Sequence, residues 1–515
     1  MLKRGLIFVH RWLGITLCLI FLLWFPSGIG MMYWDFPSVG PGDRLEHSPA
    51  LDPSKVVLSP EEAAAKLDEE QQAGQVRLNT FDGRPVYRFR TGRGEAIVYA
   101  DTGEEQILVP NDMMNRAASA WSGQPIGTAT VEPVEEADQW TIQSPLRNFF
   151  PMSKYSWPDG QQVYVSEATG EVAQYTTTAS RWGAYVGAIP HWMNFLPLRK
   201  YGEQWSQVVI WSSGIATVAS MLGIVIGLWM YSPAKRYRFE GAPTSIPYRG
   251  QKRWHMIFGL VFGLGAATWA FSGMLSMDPF PGTMGGQAGG GRRAGGVSIP
   301  QALRGRRPQP SAFAPKHPRE ALMQISDLQV KDLELTSFAG EPVYVATLGQ
   351  SQTRIIPVKG EPQTAFDRQR IVDVVSRAAE ASGGVEVSVL EQYDRYYLDR
   401  RRERPLPVLL ARLNDAENTR YYIDPKTARV VGNYSSRNWV TRWLYHGLHS
   451  LDFPWLYNYR PLWDIVVIAF MVGGTALCVT SLILAWRVLG RKLAGLTTAG
   501  GVRRAPALSE DLLVE

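Results

Sequence analysis

Apolar residues gather into four long runs, near residues 6–32, 205–231, 254–277 and 462–486. Each reaches the roughly 20 residues that a helix needs to cross a hydrocarbon core. The pattern predicts four transmembrane helices, with spans at 1–34, 205–231, 254–277 and 462–487. The two long stretches between them, 35–204 and 278–461, alternate polar and apolar positions instead. In the first, SPEEAAAKL reads as a capped helix start, because Ser59 can accept from free amides and Glu62 sits three residues on. Strands follow at 76–80, 85–91 and 95–99, closing in the turn Asp101-Thr102-Gly103, and a further hairpin falls at 161–175.

The pattern repeats. Residues 10–28 (HRWLGITLCLIFLLWFPSG) return 245 positions later as 255–273 (HMIFGLVFGLGAATWAFSG), pairing His10 with His255, Gly14 with Gly259, Trp24 with Trp269, and Ser27-Gly28 with Ser272-Gly273. An offset of 258 pairs Tyr164 with Tyr422, His191 with His449, Phe195 with Phe453, Leu198 with Leu456, Tyr201 with Tyr459 and Trp205 with Trp463. Both halves therefore read helix, α+β module, aromatic loop, helix. The expected fold class is a membrane α-helical bundle in two pseudo-symmetric halves, with α+β domains between its helices. A cleaved signal peptide is the rival reading of the first run. Its apolar core is longer than such peptides carry and matches an internal helix, so it is expected to stay as an anchor.

Charge orients the spans. Lys3, Arg4 and Arg11 flank the first, six Lys and Arg residues crowd the loop 232–253, and Arg487, Arg491 and Lys492 follow the fourth. By the positive-inside rule the loop, both termini and the tail 488–515 are cytoplasmic, and 35–204 and 278–461 lie on the outer side. The net charge of +6 over 515 residues forms no basic stripe, which excludes a nucleic-acid partner. Cys18 and Cys478 both fall in apolar runs, so neither a disulfide framework nor a cysteine metal site is expected. The Gly-rich stretch 281–306 has no strand before it and no phosphate-binding Lys after it, and reads as a linker.

Five of the seven histidines, His10, His191, His255, His446 and His449, lie at or near the ends of membrane spans. Imidazole can bind haem iron axially, and two rings from different helices can take opposite faces of one porphyrin. The repeat pairs His10 with His255 at the inner end and His191 with His449 at the outer end, while membrane thickness separates His10 from His449. These four are the candidate axial ligands of two b-type haems. His446 and His449 share a face if helical, so only one of them can ligate; the repeat favours His449, with His446 as its substitute. Gly14 and Gly259, one turn after their histidines, leave room for a flat macrocycle, although glycines also serve helix packing. Arg11, Arg253, Arg442 and Arg460 can pair with propionates, though snorkelling is the favoured role for Arg11 and Arg253.

The HRWLG start, the SG near the end of the first helix, the LHSLDF stretch before the last helix and the helix-plus-sheet modules resemble the PepSY-associated transmembrane family. The resemblance runs from Leu2 to about Lys492, with the Gly-rich linker and the tail outside it. It implies periplasmic PepSY-like domains on a bacterial inner-membrane protein, and His10, His191, His255 and His449 match that family's membrane histidines. Members include haem-containing reductases of ferric siderophores, some with a reductase-like cytoplasmic part. The expected function is thus an electron conduit from a quinol or a cytoplasmic reductase to a periplasmic acceptor such as a ferric siderophore, in contact with membrane lipids. The alternative is a membrane-anchored peptide-binding or peptidase-regulating protein without redox activity. A metal-export helper using Met31, Met32 and the histidines is disfavoured, because no Met/His-rich outer tract is present.

Overall fold

The computed structural model describes residues 1–68, 75–90, 94–107, 109–280, 298–350, 352–399 and 402–497. The Gly-rich run 281–297 and the tail from 498 lie outside the described residues. The chain divides into a membrane unit (Met1–Phe36, Ala179–Gly286, Asn438–Glu515) and a sheet unit (Pro37–Thr178, Gln287–Arg437).

Four helices of the membrane unit are long and apolar enough to cross a bilayer: Leu2–Tyr33, Gly202–Met230, Gly250–Leu275 and Leu462–Leu493, the last continuing to Thr497. Leu19, Val218, Val261 and Ile465 are exposed on their outer faces, as lipid contact requires. Between the helices small residues let backbones and rings close up. A Cβ at Gly30 would stand 2.9 Å from the Gly187 Cα, and one at Gly474 2.5 Å from the Phe25 ring.

The sheet unit is built twice. Strands β1 (Gln75–Phe81), β2 (Arg84–Arg90) and β3 (Glu95–Tyr99) form a meander after the capped helix Pro60–Ala64, whose Ser59 and Glu62 bond reciprocally as expected. Helix Asn111–Ser122 then packs on a second sheet, β4 (Thr130–Val134), β5 (Met152–Ser156), β6 (Gln162–Ser166) and β7 (Val172–Thr176). After β8 (Tyr237–Phe239) and β9 (Ala242–Thr244), a hairpin of the membrane unit, the plan recurs. Helix Pro318–Met323 precedes β10 (Asp332–Phe338), β11 (Glu341–Gly349) and β12 (Gln352–Pro357). Helix Arg368–Ala379 packs on β13 (Val385–Leu390), β14 (Val408–Leu413), β15 (Arg420–Asp424) and β16 (Arg429–Tyr434).

The two meanders are one sheet. Its order is β12-β11-β10-β1-β2-β3, joined at the middle by antiparallel pairing of β1 with β10, with Val76 opposite Leu335. One face buries Leu78, Tyr87, Phe89, Leu333 and Tyr344 under the short capped helices. Both tyrosines fasten the chain entering those helices: Tyr87 Oη donates to the Leu58 carbonyl at 2.7 Å, and Tyr344 Oη to that of Lys316 at 2.6 Å. Their hairpins read FDGRPVY and FAGEPVY, with φ positive at Asp82-Gly83 and Ala339-Gly340, the twist-matched turn of a two-residue hairpin. Residues 299–304, within the stretch read as a linker, form a capped helix that buries Ile299 and Leu303.

Gly30→Val is expected to destabilise the detergent-solubilised protein by about 1–3 kcal/mol, since the obstacle is backbone and cannot rotate away. Gly5→Ala, where a Cβ meets nothing within 4 Å, should leave the midpoint unchanged. Thermal unfolding of both variants checks this, and equal midpoints would refute the close approach.

Candidate functional site

The four repeat-related histidines of the membrane unit stand in two pairs. His10, on the first membrane helix, faces His255, on the third, with ring centroids 6.2 Å apart. His191 ends the short helix Ala188–His191, and His449 lies in Leu448–Ser450; their centroids are 5.9 Å apart. Ser27, at His191, is 17 residues along the helix from His10, about 25 Å at a rise of about 1.5 Å per residue. The pairs are therefore two separate sites near opposite ends of the bundle.

Hydrogen bonds set the tautomer of each ring. His10 Nδ1 bonds the Ala219 carbonyl at 3.0 Å, and His191 Nδ1 bonds that of Trp24 at 3.2 Å. A carbonyl only accepts, so both nitrogens carry the proton. His449 Nδ1 lies 3.0 Å from Ser272 Oγ, whose own proton goes to the Trp269 carbonyl. His255 Nδ1 lies 3.3 Å from both Thr480 Oγ1 and Ser481 Oγ, which each donate to the Leu477 carbonyl. With those protons on the helix carbonyls, the hydroxyls accept from the imidazoles. In all four rings Nδ1–H is engaged, and among the described residues no Nε2 has a partner. A neutral ring with its second nitrogen fixed by a neighbour is the form that binds metals.

The spacing fits a group held between two rings. A metal–imidazole bond of about 2 Å on either side places trans ring centroids about 6 Å apart. Beside the His10 pair a Cβ at Gly14 would meet nothing within 4 Å, and one at Gly259 only the tip of Leu477 at 3.9 Å, which leaves room for a flat group. His10 itself lies on Gly223, where a Cβ would come within 2.7 Å of its Cε1.

The repeated Ser-Gly pair is the seat of the second site. Ser27 Oγ is 3.3 Å from His191 Nδ1, as Ser272 Oγ is from His449 at 3.0 Å. A Cβ at Gly28 would stand 3.5 Å from His191 Cε1, and one at Gly273 3.7 Å from His449 Cε1. Trp269 Nε1 also donates to the His449 carbonyl at 2.9 Å. The repeat was visible in the sequence, but not that each Ser-Gly receives a histidine from a distant loop.

His446 is exposed, and the ring contact with His191 is made by His449. Tyr445 lies between them, 4.7 Å from His446 and 5.5 Å from His449 by ring centroids. The segment Val440–Gly447 is a π-helix, so the α-helical spacing assumed for these two histidines does not apply. Of the candidate propionate partners, buried Arg442 pairs with Asp452 at 2.9 Å and Arg460 pairs with Asp464, while Arg253 donates to Thr244 Oγ1 at 3.2 Å. No contact of Arg11 with the histidines is seen. His47 stacks on Trp121, and His317 caps the helix Pro318–Met323.

Arg442→Met should cost about 3–5 kcal/mol of stability, because it strands the half-enclosed Asp452 carboxylate beside the turn that carries His449. Removing both charges, Arg442→Met with Asp452→Leu, should restore most of it. Chemical denaturation of the two variants reads the difference.

A family model described as the PepSY-associated TM region matches residues 8–358, more than half of the chain. No curated protein matches it.

Proposed function

The chain belongs to the PepSY-associated TM region family, and from that premise we propose that it is a haem b electron-transfer protein of the bacterial inner membrane. One observation supports this above the others: two pairs of imidazoles, each with Nδ1 engaged and Nε2 without another partner among the described residues. His10 and His255 would hold one haem, His191 and His449 the other. Haem supplies one-electron chemistry when bound. The protein's part is to hold the rings, keep them in one tautomer and exclude water with Phe25, Trp269, Met471 and their neighbours.

In this reading the positively charged ends face the cytoplasm, and the sheet unit belongs to the periplasm. Electrons enter from a quinol or a cytoplasmic reductase and leave to a periplasmic acceptor, a ferric siderophore being the chemically suited substrate. It takes a single electron, and Fe(II) is held less firmly than Fe(III) by hard oxygen donors.

A dithionite-reduced minus oxidised spectrum with a pyridine haemochrome count should give b-type bands and two haems per chain. His255→Ala and His449→Ala should each remove one haem, and His446→Ala neither. A colourless protein from haem-replete cells would sink the proposal in favour of a peptide-binding role. Ser272→Ala, which takes the acceptor from His449 Nδ1, should weaken retention of one haem about 10–100-fold and leave the other in place; haem-transfer kinetics to apomyoglobin measure this.

A further inference from the structure

A strand at the edge of a sheet leaves half of its backbone groups unpaired, and proteins close such edges by identifiable means. Most edges of the sheet unit show one. Along β3, Tyr99 N–H donates to the Glu104 carbonyl at 2.9 Å and Gln106 N–H to that of Ile97 at 2.8 Å, while Ile355 on β12 exchanges two such bonds with Gln363, at 2.8 and 2.7 Å. Arg44 Nε donates to the Val172 carbonyl on β7 at 2.9 Å, and β16 is half-buried. β4 carries Pro133, which has no N–H to offer a strand laid beside it.

The edge formed by β13 has none of these devices. Its sequence is VEVSVL, without proline, glycine or lysine. Asn414 N–H donates to the Gly384 carbonyl at 3.1 Å, which fixes the alternation along the strand. The N–H and C=O of Glu386, Ser388 and Leu390 point to β14, and those of Val385, Val387 and Val389 point outward. The outward groups have no partner among the described residues. Val385 and Val387 pack their side chains into the core under helix Arg368–Ala379, whereas Val389, on the same face, is 47% exposed.

The other half of the repeat shows the same edge closed. At an offset of 256 β4 falls on β13 and β5 on β14, and Asp138 falls on Asp394, the carboxylates that accept from Tyr164 and Tyr422. Pro133 then falls on Val389, the exposed valine. One half blocks this edge with a proline, and the other presents a β-branched residue suited to extended pairing.

We propose that the β13 edge pairs antiparallel with β13 of a second copy of this chain, about a twofold axis through Val387. The strand is complementary to itself in that register. Val385 lies opposite the partner's Val389 and Val387 opposite the partner's Val387, so the outward N–H and C=O of all three valines are satisfied, and the two valine rows merge into one apolar layer that covers Val389. The exposed Glu386 lies opposite the partner's Ser388, whose hydroxyl can donate to its carboxylate, twice by symmetry, and no two carboxylates face each other. The four strands of each copy continue into one sheet. A single strand pair is small beside the roughly 1,200–2,000 Å² of a stable soluble complex, but two chains anchored in one bilayer hold each other at a high effective concentration, which makes a small interface sufficient.

Disulfide capture in isolated membranes tests the partner and the register together. A chain carrying Glu386→Cys is co-expressed with a differently tagged chain carrying Ser388→Cys, and copper phenanthroline serves as oxidant; the native Cys18 and Cys478 are buried in membrane helices. Opposed residues of a pair without hydrogen bonds have Cα atoms about 4.5 Å apart, within reach of a disulfide, whereas like cysteines would stand diagonally at about 7–8 Å, beyond it. The mixed disulfide should exceed by about tenfold both the like-with-like disulfides and the product of Thr130→Cys with Glu132→Cys on β4, which reads random collision. Val389→Pro, which installs the proline of the first half, and Val389→Lys, a charge of the kind that guards edges, should each bring the yield down to that background with the thermal midpoint unchanged. A mixed yield at the β4 level, equal mixed and like-with-like yields, or full yield in both Val389 variants would overturn the proposal; a different protein seated on this edge would give the first of these.

Discussion

A hydroxyl inside a membrane helix has one proton, and the helix's own carbonyls take it. Ser27 gives its proton to Leu23 or Trp24, Ser272 to Trp269, and Thr480 and Ser481 to Leu477. What remains at each oxygen is an acceptor, and an acceptor facing an imidazole nitrogen demands N–H there. Without water to offer an alternative, that constraint reaches the far side of the ring and leaves Nε2 as a bare lone pair. The glycines beside the histidines follow from it. Gly223 lets the His10 ring come close enough to reach its acceptor, where a Cβ would stand 2.7 Å from its Cε1, and Gly28 and Gly273 lie in contact with the other pair.

The sheet unit solves a different problem by the same duplication. A three-stranded meander has two open edges, and a single copy would leave the outer edge of β1 unpaired. Pairing β1 with β10 closes one edge of each copy against the other, so neither copy completes its sheet alone. Tyr87 and Tyr344 then tie each copy's capped helix to the shared layer from symmetric positions. Residues such as Val76 and Leu335, or Asn79 and Asp332, far apart in sequence, thus become nearest neighbours in the sheet.

Much of this is legible in the chain. Hydropathy alone marks the four helices, because lipid tolerates few other ways to satisfy a backbone, and the fourth differs chiefly in running on past 487 to Thr497. Ser59 and Glu62 announce their capping box by spacing. Register between β1 and β10 carries no local signal, since it depends on two strands that meet only after folding. The PVY repeat at Pro85-Val86-Tyr87 and Pro342-Val343-Tyr344 was there to be found, but it sits inside an alternating pattern that already reads as strand. The π-helix at Val440–Gly447 has no hydropathy signature of its own, so the relation of His446 to His449 could not be read by counting residues. The family match covers the first three membrane helices and the strands through β12, and leaves His449 to be argued from the repeat and from its bond to Ser272.

The two halves have diverged unevenly, and where they differ is informative. In the membrane the repeat mates keep their chemistry: histidine faces histidine, serine receives imidazole, and glycine makes room at both ends. In the sheet unit the mates keep their shape and exchange their charge, Arg84 becoming Glu341, Arg88 becoming Val345 and Arg77 becoming Glu334 at the same hairpin positions. Two equivalent histidine pairs need symmetry, because each ring must approach its partner in the same way. The central ion pairs of the sheet lie on the seam between the copies, where Arg77 of the first neutralises Asp332 of the second.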